Sequence, residues 1–199
     1  MINKLVYHIN KLLIILVLHI AGSSIQIHGQ EEIGGIINQY AKVNSINPGL
    51  VMVSPAQASQ FAAGDYVLLI QMQGVGIQTA QGSYGVNVQS LIGNPGAYEF
   101  LQLLSVNGGT GEIRFTRNVY INSYSITGNV QLIRVPFYNH PVVTSTLSAQ
   151  PWNSSTGTGG VVAIMAGRKL TLNAGIDVTG QGFAGAPGVP GTGECVSTN

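Results

Sequence analysis

A catalytic set would have to be assembled here from very few groups. Three of the four histidines lie within the first 29 residues, so His140, in the loop Tyr138-Asn139-His140-Pro141, is the one imidazole of the remaining chain. A nucleophile, base and acid arrangement would have to use it, yet no Gly-x-Ser-x-Gly turn accompanies it, and it reads as an ordinary loop histidine. Cys195 is the single cysteine. One His and one Cys cannot make a zinc site without carboxylates, and no close ligand spacing is present. Glu99 and Glu112 fall on two neighbouring strands, whereas a glycosidase needs a carboxylate pair about 5–10 Å apart in a cleft. A solvated strand face is the expectation for both. Asp65 follows Gly64 in a turn, where a carboxylate bonds nearby backbone N–H groups. Asp177 falls on the outward face of its strand, and neither aspartate has the acidic clustering of a calcium loop. Arg168-Lys169 could neutralise uronate carboxylates in a polysaccharide lyase, but charged strand ends commonly guard an edge. Trp152, Tyr138 and Phe137 offer either an aromatic sugar platform or an interdomain plug. The glycines form no nucleotide loop, since no Gly-Lys-Ser/Thr follows them. No catalytic, cofactor-binding or metal-binding residue is therefore assigned, and no cofactor is expected.

The elements that would position these groups read as strands. Leu50 to Val53 is short and apolar. Tyr66 to Gln73 opens apolar on both faces, which predicts a central strand. Residues 74–96 read as a long Gly/Gln/Asn loop. Ala97 to Val106 and Glu112 to Thr116, joined by Asn107-Gly108-Gly109-Thr110-Gly111, form the clearest hairpin. Asn129 to Val135 is a further strand, stopped by Pro136. No long helix is visible after residue 29. The expectation is all-β: a small antiparallel β-barrel or sandwich over 49–140, after a lead-in at 30–48, followed by a Pro- and Ser/Thr-rich connector at 141–158.

The stretch from Gly159 to Gly185 reads differently, as the first rungs of a β-solenoid of the parallel β-helix kind. Leu170 and Leu172 alternate with Thr171 and Asn173, and Ile176 and Val178 with Asp177 and Thr179. Asn173-Ala174-Gly175 lies between them, as a hairpin loop or as a bend within one rung. In the second case Leu170, Leu172, Ile176 and Val178 point inward, and a single rung cannot hide that face. The 186–199 tail is rich in Gly and Pro. Gly182, Gly185, Gly188 and Gly191 fall at every third position, with Pro187 and Pro190 between them, too few triplets for a triple helix, and imply an extended loop. The missing closing strand and the lone Cys195 lead us to expect further domains of the same polypeptide beyond Asn199.

Composition supplies an address. Lys4 and Lys11 precede the apolar run Leu12 to Leu18, and Ala21-Gly22-Ser23-Ser24 follows it, the layout of a secretory signal peptide over residues 1–29. The run is short of the roughly 20 apolar residues that span a membrane. Loss of Lys4 and Lys11 turns the formal charge of +1 into about −1, and no basic patch remains for phosphates, which argues against nucleic acid as a partner. Charged residues are 8% of the chain, against about 25% in ordinary soluble domains, so solubility must come from Asn, Gln, Ser and Thr.

Several segments together carry a resemblance. They are Phe61-Ala62-Ala63-Gly64-Asp65-Tyr66-Val67-Leu68-Leu69-Ile70-Gln71-Met72-Gln73-Gly74, Gly96-Ala97-Tyr98-Glu99-Phe100, Val130 to Pro136, Ala149-Gln150-Pro151-Trp152-Asn153, and Gly159 to Gly185. This chain resembles the N-terminal region of large exported, glycine-rich, adhesin-like surface proteins of Bacteroidetes-type bacteria, many of them substrates of the type IX secretion route. The resemblance implies a secreted or cell-surface location, a structural or adhesive role and no enzymatic activity. It implies surface glycans or other cell-surface proteins as partners, and it brings no catalytic residues with it. The alternative is a carbohydrate-binding module or a β-helix polysaccharide lyase.

Overall fold

The computed structural model describes residues 30–77, 88–120 and 123–183. Met1–Gln30 and Glu31–Asn199 are separate units, and the fold described is that of the second. Residues 1–29, expected to be a signal peptide, and Cys195 with most of the Gly- and Pro-rich tail lie outside the described residues.

The described chain is all-β, with antiparallel and parallel sheets. Seven strands form an antiparallel sheet in the order β2 (Gln39–Lys42), β10 (Val130–Val135), β5 (Tyr66–Gln71), β8 (Tyr98–Asn107), β9 (Glu112–Phe115), β4 (Leu50–Met52) and β3 (Ser45–Asn47). Alternation decides which face is buried. Val67 and Leu69, Leu101 and Leu103, Ile113 and Phe115, and Val130 and Leu132 point to one side and form the main core with Ala41, Val43 and Val51. β5 is central, as its doubly apolar start requires. β8 and β9 are the expected hairpin, with a register shift between Leu103 and Ser105. The four-residue helix α1 (Pro55–Ala58) adds Ala58 to this core, and its Ser54 side chain accepts the Gln57 N–H at 3.3 Å. The two edge strands β2 and β3 are consecutive in the chain. Val43 and Asn44 link them, with Val43 N–H donating to Val130 O and Asn44 N–H to Met52 O.

Residues 30–48, read from the sequence as a lead-in, hold three strands: β1 (Glu31–Ile36), β2 and β3. The 74–96 loop contains a short antiparallel pair, β6 (Val75–Ile77) and β7 (Val88–Leu91). The 141–158 connector holds β12 (Pro141–Ser148), one of the longest strands. Prolines at its flanks hid it from a reading that treats proline as a breaker. Pro141 is the first residue of the strand, where the lost N–H is tolerated.

β12 organises the second half. It pairs in parallel with β1 on one side and with β14 (Thr171–Leu172) on the other. Val142 faces Thr171, Val143 faces Leu172 and Leu147 faces Ile176. The same 29-residue step joins the Ser148 hydroxyl to Asp177 O. Backbone bonds also join Met165 N to Pro136 O, Gly167 N to Tyr138 O, Arg168 N to Asn139 O and Trp152 N to Gln181 O. β11 (Phe137–Tyr138) pairs in parallel with β13 (Met165–Ala166) at a step of 28 residues, one shorter than that between β12 and β14. One pass of chain therefore lies along the previous one, strand by strand and turn by turn. Leu170 and Ile176 belong to the bend described above, not to a hairpin, since each segment's partner is the preceding pass. Ile33, Val143 and Leu147 are its buried centre, with Ile37, Tyr138, Val162, Ile164, Leu170 and Ala174 packed around them.

Candidate functional site

The side chains that do most in this structure are neutral amides, and they sit where the parallel passes meet the antiparallel sheet. Gln131, on the outer face of β10, donates from Nε2 to Gly159 O at 3.0 Å and accepts Gly159 N–H on Oε1 at 2.9 Å. A side-chain amide thereby imitates a strand partner. Asn38 does the same at the next position: Nδ2 donates to Ala163 O at 2.6 Å and Arg134 O at 2.9 Å, and Oδ1 accepts Ala163 N–H at 3.1 Å. Tyr40 Oη donates to Val161 O at 2.7 Å and accepts Gln150 N–H at 3.3 Å. Burial raises the Tyr40 pKa, and the Gln150 bond opposes that rise. Between these clamps Tyr40, Leu68, Ile133 and Val135 pack on Ala163. Fully buried polar groups of this kind persist only when every bond is made. Gln71, also fully buried, reaches Gln73 O and Ile92 O and accepts N–H groups from Asn94 and Ser125, so it ties two loops to the end of β5. Sequence reading passed over Asn38, Gln71 and Gln131. Their only signal was a polar residue within or beside an apolar strand, and Gln is common on exposed strand faces too.

The residues singled out for chemistry are scattered. Glu99 is not on a solvated face as expected. It is 7% exposed, opposite Leu69 on the inner side of the sheet, and accepts the Tyr120 N–H at 2.9 Å and Arg117 Nη1 at 3.4 Å. Alternation along β8, not charge, placed it there. Its charge adds to burial in raising the Tyr124 pKa. Glu112 instead pairs with Arg114 at 2.7 Å on the surface, so the two glutamates are not a facing pair. Asp65 accepts the Ala62 N–H at 2.8 Å, the turn bond its position suggested, and also bridges to Arg134 at 2.9 Å.

His140 lies in a loop that grips β1. Its N–H and that of Asn139 donate to the Glu31 carboxylate at 3.2 and 2.6 Å, and Glu31 N–H donates back to His140 O. Beside it, burial raises the Tyr138 pKa, while Arg134 lowers and Glu31 raises it. Asp177 is exposed and its pKa is lowered by the Thr179 hydroxyl and N–H. Arg168 and Lys169 are exposed in the turn between β13 and β14. The three aromatics do not form one platform or one plug. Phe137 lies near Tyr66 at 6.3 Å, Trp152 packs edge-on to Phe183 at 4.6 Å, and Tyr138 joins the core of the parallel stack. Among the described residues no group of three or more His, Cys, Asp or Glu could hold a metal ion, and no helix is long and apolar enough to cross a membrane.

Two open surfaces remain. The last pass exposes Leu172, Ile176, Val178 and Phe183. Of the four side chains expected to point inward, only Leu170 packs into the core; Leu172, Ile176 and Val178 are exposed, on the last described pass, and among the described residues no strand follows β14 in the sheet. The second surface is a groove of about 480 Å³ formed by Leu68 and Ile70 of β5, Tyr98 and Phe100 of β8, and residues 162–164. Compared with models of known protein families, with curated proteins and with solved structures, the chain finds no match in any of the three.

Proposed function

We propose that this chain is the N-terminal capping region of a β-solenoid in an exported cell-surface protein, with a structural or adhesive and non-enzymatic role. The observation that carries this reading is the parallel ladder, in which the chain returns on itself after 28–29 residues and whose last described pass is apolar and exposed. A repeating coil buries its core only by stacking, so its first pass needs protection and its last needs a successor. The two edges differ in the required sense. The free edge of β1 carries exposed Glu31 and Glu32, charges that discourage strand addition. β14, the last strand of this sheet among the described residues, carries exposed Leu172, and Ile176 and Val178 beyond it are exposed too.

In this reading the antiparallel sheet is a closed barrel interposed between the first and second passes. β2 and β3 act as one bent strand that bonds β10 with its first half and β4 with its second, so the seven strands close as six staves. Support comes from the opposite directions of the Val43 and Asn44 bonds, and from a core to which β2, β4, β5, β8, β9 and β10 all contribute. The barrel presents its outer face to the coil through Asn38, Tyr40 and Gln131, which sets the direction in which later passes stack.

Display and catalysis are separated by two measurements on the native protein. Antibodies against this region should label intact cells or the culture medium, and a retained intracellular protein would sink the display reading. Purified protein should release no product from uronate-containing or neutral polysaccharides. Turnover abolished by Arg168→Ala or Lys169→Ala would establish the lyase instead.

A further inference from the structure

We propose that Asn107, at the turn between β8 and β9, is a self-modifying site: its side-chain amide closes onto the Gly108 nitrogen, and the residue becomes an aspartate or an isoaspartate. The reaction is independent of the coil reading and needs no partner but water.

Asn107-Gly108 is the one Asn-Gly pair in the sequence. Both residues are exposed, and Asn107 ends β8. The Gly108 nitrogen is the nucleophile. No described residue accepts its N–H, and a Cβ built on Gly108 would meet nothing within 4 Å. It is neither tied into the ladder nor shielded, and glycine has no side chain to obstruct ring closure. The electrophile is Asn107 Cγ, whose oxygen is held in place. Oδ1 accepts the Gly109 N–H at 3.0 Å and the Thr110 N–H at 3.2 Å. Two backbone N–H groups on the oxygen that gains negative charge during attack make a small oxyanion hole. Nucleophile and electrophile belong to one short stretch of chain, so no bimolecular encounter is needed. Among the described residues nothing accepts from Asn107 Nδ2, which leaves the departing amine open to water.

The Gly108 nitrogen gives its proton to a solvent base and bonds to Cγ. The tetrahedral carbon then expels Nδ2, which takes a proton from water and leaves as ammonia. A succinimide ring remains. Water opens it at one carbonyl to an aspartate, or at the other to an isoaspartate. Asn107 faces Glu112 across the hairpin, and the Gly111 N–H donates to Asn107 O at 2.8 Å to close the turn. A new carboxylate opposite a glutamate is repulsive. An isoaspartate lengthens the main chain where the closing bond is made. Conversion therefore loosens the end of the hairpin.

Asn153 is a built-in comparison. It is exposed, and its Oδ1 accepts the Ser155 and Thr156 N–H groups at 2.9 and 3.2 Å. These bonds match those of Asn107 in sequence offset and in length. The next residue is Ser154, whose side chain crowds ring closure. The pair separates what the glycine contributes from what the held oxygen contributes.

The test incubates the full chain at mildly alkaline pH and follows each asparagine by peptide mass spectrometry, with enzymatic methylation to score isoaspartate. Position 107 should convert first, several-fold ahead of position 153. Gly108→Ser should bring position 107 down to the rate of position 153, and Ser154→Gly should bring position 153 up toward that of 107. Both changes lie in exposed turns, and far-UV circular dichroism checks that each variant keeps its sheets. A peptide of residues 104–112 has the same sequence and no fixed turn, and it should convert several-fold more slowly than the folded chain. Another asparagine converting first, or a rate at position 107 indifferent to Gly108→Ser, would overturn the proposal. A folded chain slower than the peptide would show that the turn protects the amide, and would overturn it as well.

Discussion

At the scale of single residues, the joint between the two sheets depends on amides that cannot be replaced by apolar groups of similar size. Asn38→Ala leaves the Ala163 N–H and the carbonyls of Ala163 and Arg134 without their partner. An unsatisfied buried group costs about 1–3 kcal/mol, so the variant should lose roughly 2–4 kcal/mol, read as a lower urea midpoint. An unchanged midpoint would mean that the amide bonds contribute nothing net. The tyrosines make a second residue-scale prediction. The pKa values of Tyr40, Tyr124 and Tyr138 are all raised, first by burial. A raised pKa means that the folded state holds the proton longer than the unfolded state. Stability from these groups is thus complete below the ordinary tyrosine value near 10 and falls as pH rises above it. Absorbance titration should show late-ionising tyrosines, with unfolding accompanying their ionisation. Ionisation of every tyrosine near the ordinary value, with no loss of structure, would contradict the buried placement.

At the scale of elements, turns decide whether passes can lie on one another. Gly159 has φ +104°, and a Cβ there would stand 2.4 Å from the Pro151 carbonyl oxygen. Gly159→Ala should therefore cost on the order of 2 kcal/mol or more, and it should loosen the Gln131 clamp that holds the same residue. Gly175 lies in the bend between the two short segments of the last pass, and a Cβ there meets nothing within 4 Å. Gly175→Ala should stay within about 0.5 kcal/mol of the parent. Thermal unfolding of the pair checks both, and equal midpoints would refute the role given to Gly159.

At the scale of the molecule, two cores should respond separately. Leu132 is fully buried in the core of the antiparallel sheet and Leu147 in that of the parallel stack. Truncating either to Ala should cost about 2–5 kcal/mol. Among the described residues the stack has the smaller buried core, so it belongs to the less stable part of the structure. Leu147→Ala should speed amide exchange in β1, β12 and β14 and leave β5, β8 and β10 nearly as slow as before. Uniform acceleration across all six strands would show one cooperative unit instead of two.

Much of the antiparallel sheet was legible in the chain because its determinants are local. A doubly apolar start placed Tyr66–Gln71 at the centre, and a five-residue glycine loop between alternating strands placed the hairpin of β8 and β9. Asp65 could likewise be assigned its turn bond from neighbours in sequence. What local pattern could not carry is pairing over long separations. β1 meets β12 across the whole antiparallel sheet, and nothing in Glu31–Ile36 distinguishes a partner that far away from none. β12 was hidden behind prolines whose missing N–H groups matter only once neighbours are known. Glu99 and the amides of Asn38, Gln71 and Gln131 looked like surface residues because composition shows polarity and not partners. Their burial was decided by the tertiary structure, in which bonds to distant backbone groups offset the loss of water.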